Sequence, residues 1–220
     1  MDRSDLLDIS LFDTERADGS FLMPWPLPGN PSALLPFYHF SEWQRFLEAR
    51  RLHPAIPEIV GSKFRRAQRL YLLGWIDFGL VKAGELVAMT ALELALKDRY
   101  GGFFIQQDMR KSGKKSHSER MPSLAQLLEH MVEKDGLTDA SLTFTKLYGG
   151  SVISLLYESK ASRDAAKKNG MPKAITLAGI RNSLAHGDPF DGLPWAGLLE
   201  LIRDLIEYAY RSYLQEIKLA

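Results

Sequence analysis

The sequence predicts an all-α fold, on three observations. Apolar residues recur at helical spacing in one run after another, as in Leu177, Ile180 and Leu184. Gly136, Gly149-Gly150, Gly170-Met171-Pro172 and Gly187-Asp188-Pro189 divide the second half of the chain into pieces of helix length. No alternating apolar and polar run is long enough for a strand, and Ser141 to Leu147 is the one ambiguous stretch.

Taken in order, residues 1–40 stand apart from the rest. Pro24, Pro26, Pro28, Pro31 and Pro36 break any helix, while Trp25, Phe37, Tyr38 and Phe40 offer apolar anchors. This is expected to be an extended Pro-rich N-terminal arm, followed by a helical domain over 41–220. Ser41 has the character of an N-cap, with Gln44 at the capping-box position. A long helical run follows from about Ser62 to Tyr100, bent near Gly74 or Gly79 and ended by Gly101-Gly102. Its second half, from Ala83 to Lys97, is apolar nearly all round, which places it centrally in a bundle. The stretch from Gly102 to Pro122 is irregular and basic. Helices are expected again over about 123–133, 150–168, 173–186 and 193–218.

Composition narrows the function classes. Hydrophobic residues make up 45% and charged residues 25% of the 220, enough for a substantial core. Lys+Arg 28 against Asp+Glu 27 leaves a formal charge of +1, so any surface that attracts anions must be local. The absence of cysteine excludes disulfides and thiolate chemistry. Leu6 to Phe12, interrupted by Asp8, is too short and too acidic for a signal peptide, and no apolar run reaches a membrane span. A cytoplasmic protein without membrane contact is expected. No His, Asp and Glu set has metal-ligand spacing, so neither metal nor cofactor is expected.

The segment Ala178-Gly179-Ile180-Arg181-Asn182-Ser183-Leu184-Ala185-His186-Gly187 carries the chemistry. On a helical wheel Leu177, Ile180 and Leu184 form the core-facing stripe and Arg181 lies at its edge. Asn182 and His186, four apart, share the opposite side with Gly179 and Ile175. Arg181 and His186 are then about 140° apart, so they converge on one phosphate only if the helix end distorts or a second copy completes the site. A guanidinium grips phosphate and stays charged, and an imidazole moves a proton near neutral pH. Asn182 can donate to phosphate oxygen or orient the histidine. A structural alternative pairs Arg181 with a buried carboxylate and uses His186 to end the helix.

Arg181-Asn182-Ser183-Leu184-Ala185-His186, on a late helix of an all-α chain, resembles the R-x4-6-H motif of the HEPN superfamily. The polar residue after the arginine matches that pattern, and Ala91 to Tyr100 looks like the family's preceding core helix. The resemblance implies a HEPN-like helical bundle that dimerises with two motifs face to face. It implies a metal-independent endoribonuclease acting through the 2′-hydroxyl of RNA, with Arg181 and His186 catalytic and Asn182 auxiliary. Toxins and phage-defence effectors, some with an antitoxin partner, belong to the family. So do non-catalytic modules that bind RNA, a nucleotide or a protein.

Two supporting features complete the sequence reading. Glu93, in the apolar helix, needs a partner. Lys97 one turn later and Arg181 are both candidates, and Asp77 competes with Glu93 for Arg181. Arg110, Lys111, Lys114 and Lys115 belong to a basic loop that reads either as solvated surface or as an RNA-binding flap. His117 and His130 have no assigned role, and Tyr71 and Trp75 are expected in the core.

Overall fold

The computed structural model describes residues 19–112, 121–172, 174–189 and 192–219, with side chains for all of these except 108–112, 160, 163, 166, 218 and 219. The chain is mostly helical, as its periodicity requires. A short hairpin, β1 (Phe21–Pro24) and β2 (Leu34–Phe37), precedes α1 (Phe40–Glu48), α2 (Glu58–Leu73) and α3 (Gly79–Ser112). Then come α4 (Leu124–Glu133), a 3-10 turn (Asp139–Ser141), α5 (Thr143–Tyr148), α6 (Ile153–Leu156) and α7 (Lys160–Lys168). The order closes with α8 (Leu177–His186), α9 (Leu198–Ala209) and α10 (Arg211–Leu219). No helix among the described residues is long and apolar enough to cross a membrane.

The chain is of the all-α class, but its Pro-rich stretch holds two short strands where no alternating run predicts one. They pair antiparallel, with Phe21 opposite Phe37 and Pro24 opposite Leu34. With only two strands, every strand has an edge, so prolines that cannot donate to a ladder are tolerated. The inner side chains Phe21, Met23 and Trp25 are buried in the same core as the helices. Their neighbours are aromatic: Phe21 lies 5.2 Å from Trp43 and Trp25 lies 4.8 Å from Phe46, measured between ring centroids.

α3 is the central helix, packed along α2 and then against α9, α4 and α8. Gly84 lets α2 and α3 close on each other, since a Cβ there would lie 2.6 Å from Cδ2 of Tyr71. Tyr71 and Trp75 are buried as expected. Gly101-Gly102 does not end this helix. Tyr100 donates to Asp135 at 2.6 Å, and Phe103 packs 4.5 Å from the His130 ring. These contacts outweigh a helix cost of about 1 kcal/mol per glycine.

Boundaries differ elsewhere for local reasons. α1 starts at Phe40 rather than beyond Ser41, because Glu42 accepts from the backbone N–H of Tyr38 and His39 and makes His39 the cap. The ambiguous stretch from Ser141 to Leu147 is helical in nearly its whole length. The runs expected over 150–168 and 193–218 are each two helices, α6 with α7 and α9 with α10. α4 lies where a helix is expected over about 123–133, and Ser123 caps it, its hydroxyl accepting from Gln126 N–H.

Gly197 caps α9 with φ of 69°, and a Cβ there would lie 2.8 Å from Pro26 Cδ and 2.9 Å from Phe144 Cε2. Gly197→Ala combines a left-handed backbone penalty with a clash against the segment that follows β1. It should cost about 2 kcal/mol or more, read as a lower urea midpoint at unchanged slope.

Candidate functional site

α8 is built as its sequence pattern requires. Thr176 caps it, its hydroxyl accepting from Gly179 N–H at 3.1 Å. Leu177, Ala178, Ile180 and Leu184 are buried against the bundle. Gly179, Asn182, Ser183, Ala185 and His186 are exposed, so the outer face is small and polar. Gly187, at φ 131°, stops the helix, and Asp188 N–H donates to the Ser183 carbonyl at 3.1 Å.

Arg181 leaves the edge of the buried stripe and meets α3. Its Nη2 donates to Glu93 Oε2 at 2.7 Å, and its Nη1 donates to Asn182 Oδ1 at 3.1 Å. Lys97 holds the other Glu93 oxygen at 2.7 Å. Glu93 thus takes both candidate partners, and two cations against one carboxylate leave a net positive charge at the edge of α8. Asp77 is engaged elsewhere, accepting from Gly79 N–H at 2.9 Å. Arg181 Nε is enclosed without a hydrogen-bond partner. His186 sits on the last turn of α8 and is exposed, about 140° from Arg181 on the helical wheel.

The basic stretch is only partly in view. Arg110 and Lys111 fall in the final turn of α3, but their side chains lie outside the described residues, as do Lys114, Lys115 and His117 altogether. His130 packs among the rings of Tyr100, Phe103 and Phe104, and burial holds its imidazole below the ordinary value.

Sequence reasoning missed a second group beneath the α8–α9 connection. Glu85 of α3 is fully buried, and one of its oxygens accepts from the Trp195 backbone N–H. Its Oε2 lies 3.9 Å from Lys82 Nζ and has no hydrogen bond. Burial pushes its carboxyl up to about 8, against the pull of the Trp195 N–H and Lys82, with the Asp188 charge adding to the rise. Glu85 showed in the sequence as an acid in an apolar helix, but its partner is 110 residues away. Between this connection and α8 lies an open depression of about 320 Å³, lined among others by Thr176, Gly179, Ile180, Ser183, Asp188 and Trp195.

Fold and site together define a mostly helical protein with a guanidinium, carboxylate and ammonium cluster on one side of a short helix and an imidazole on the other. Compared with known proteins, the chain matches no protein-family model, and no curated protein or solved structure is significantly similar to it.

Proposed function

We propose that this protein is a metal-independent endoribonuclease of HEPN type, acting as a homodimer through α8. The observation that carries the reading is Arg181, held by Glu93 in a fixed pose while His186 stands exposed on a face of small residues. That face, with Gly179, Ser183 and Ala185, admits a second copy of the same helix. Two-fold pairing would bring each His186 toward the other subunit's arginine.

In the reaction, His186 takes the proton of the ribose 2′-hydroxyl, and that oxygen bonds to phosphorus as the P–O5′ bond breaks. The products are a 2′,3′-cyclic phosphate and a 5′-hydroxyl, whose oxygen receives a proton from imidazolium. Arg181 stabilises the charge on the phosphate, and Asn182 steadies the guanidinium. The same reading extends to a cytoplasmic toxin or phage-defence effector restrained by an antitoxin protein, and it needs no cofactor.

A second reading, a non-catalytic module that binds RNA, a nucleotide or a protein, is favoured by one feature. Arg181 is already paired with Glu93, and a single subunit leaves His186 alone.

One experiment separates them. Purified protein should cut single-stranded RNA in EDTA, and His186→Ala should lower the rate by about a hundredfold or more. Sedimentation should give a dimer. Equal rates in both proteins, or activity only with added metal, would overturn the nuclease. RNA binding without turnover would favour the binding module.

A further inference from the structure

We propose that Lys97 is a second strand-binding residue, which grips the RNA phosphate next to the one met by Arg181. This role rests on the reading of Arg181 above, but not on cleavage of the strand. Lys97 stands one turn beyond Glu93 on α3, and Arg181 reaches the same carboxylate from α8. Lys97 Nζ donates to Oε1 and Arg181 Nη2 to Oε2, each at 2.7 Å. A Glu and Lys pair one turn apart is complete in itself and needs no further cation. Here a guanidinium 88 residues away joins it. One carboxylate cannot neutralise two cations, so a positive charge is left over in a partly buried place, where a counter-charge stabilises it.

Exposure and donor count put that charge within reach of a ligand. The Glu93 side chain is 13% exposed, whereas those of Lys97 and Arg181 are 29% and 28% exposed. The carboxylate therefore lies deeper and the two cations nearer to solvent. An ammonium has three N–H groups. Glu93 is the one hydrogen-bond partner of Lys97 among the described residues, so two of the three remain. Each terminal nitrogen of Arg181 uses one N–H, Nη2 on Glu93 and Nη1 on Asn182, and keeps another. Neither cation has to leave Glu93 to take a phosphate.

The carboxylate also decides how many phosphates fit. Joined through it, Lys97 Nζ and Arg181 Nη2 are no more than about 8 Å apart. A single phosphate midway between them would face the Glu93 oxygens and be repelled. Two phosphates, one beyond each cation, avoid that repulsion, and neighbouring phosphates of one RNA strand come at this order of spacing. Lys97 thus sets the path of the strand on one side of Arg181 and touches no reacting atom. Because it lies on α3, its contact leaves Gly179, Ser183 and Ala185 of α8 free for the second copy.

Binding is tested apart from cleavage. A 2′-O-methyl oligouridylate, which lacks the attacking hydroxyl, is titrated into the full-length protein at a series of salt concentrations. Lys97→Gln should weaken binding and make the slope of log affinity against log salt shallower by about 0.7, the share of one phosphate on a single strand. Lys97→Arg should restore the slope. Lys146→Gln, which removes an exposed lysine of α5, should leave it unchanged, with circular dichroism confirming the fold of each variant. An unchanged slope in Lys97→Gln, an equal change in Lys146→Gln, no recovery in Lys97→Arg, or no binding of the strand would overturn the proposal. A second arm titrates inorganic phosphate by calorimetry. Phosphate that binds wild type but not Lys97→Gln, with the strand's slope unchanged, would assign the cations to a free ion and overturn the strand contact. On cleavable RNA, Lys97→Gln should raise KM with little change in kcat. The expected slope change without any cleavage supports the Lys97 contact and overturns the nuclease. Cleavage with an unchanged slope does the reverse.

Discussion

Glu200→Ala is expected to destabilise the protein by roughly 3–5 kcal/mol, the cost of removing one member of a buried ionic cluster. Glu200 of α9 is 4% exposed and gathers four donors. Its Oε2 accepts from Trp25 Nε1 at 3.2 Å, Arg50 Nε at 2.9 Å and Tyr148 hydroxyl at 3.1 Å, and its Oε1 accepts from Arg203 at 3.2 Å. The hairpin, the end of α1, α5 and α9 therefore meet at one carboxylate. Arg203 would keep Asp204 at 2.6 Å, and Arg50 would keep the Phe46 carbonyl and the Phe46 ring 3.5 Å away. The Trp25 indole N–H and the Tyr148 hydroxyl would lose their acceptor. The loss should fall at the upper end if the hairpin detaches, with a change in the urea slope, and at the lower end if it stays seated. Glu200→Gln, which keeps an acceptor but no charge, should fall between. A Glu200→Ala stability within about 1 kcal/mol of wild type would show that the cluster adds little.

Glu85→Gln should do the opposite and stabilise the protein at alkaline pH. The folded carboxyl titrates near 8, above its ordinary value of 4.5, so the folded state keeps a proton that the unfolded chain releases. Below pH 4.5 both states are protonated and this group adds no slope. Between about 4.5 and 8 the unfolded state binds fewer protons, and stability falls by up to about 1.4 kcal/mol per pH unit. Above about 8 the slope ends. The variant keeps an oxygen for the Trp195 N–H and removes the titration. Wild type and variant should therefore match near pH 5 and differ by several kcal/mol near pH 8, measured by urea unfolding at each pH. Parallel pH profiles of the two proteins would refute the assignment.

Helical periodicity was the legible part of this fold. Leu177, Ile180 and Leu184 point inward as spaced, and α4 falls within the run expected over about 123–133. Features set by distant contacts were not legible. Gly101-Gly102 reads as a stop by propensity, but Tyr100 and Phe103 find Asp135 and His130 and carry the helix through. The strands are four residues each, hold two prolines, and gain their order from Trp43 and Trp75 rather than from their own pattern. At the site, the sequence offered Glu93 two partners and could not choose. Lys97 is one turn away and Arg181 is 88 residues away, and the carboxylate has an oxygen for each. Trp195 and Asp188 carried no periodic signal, since they lie in a connection whose place is fixed by buried Glu85.

The bond between Trp25 and Glu200 spans 175 residues. At about 5–20 residues per second, the ribosome takes roughly 9–35 s to make that stretch. Throughout this interval the aromatic side of the hairpin has no α9 to close on, and a folded α1–α3 core can bury only part of it. Seating of the hairpin on α9 is thus gated by translation of α9. A slowed ribosome in that region would lengthen the time during which an apolar, strand-forming segment is available to chaperones or to a neighbouring nascent chain.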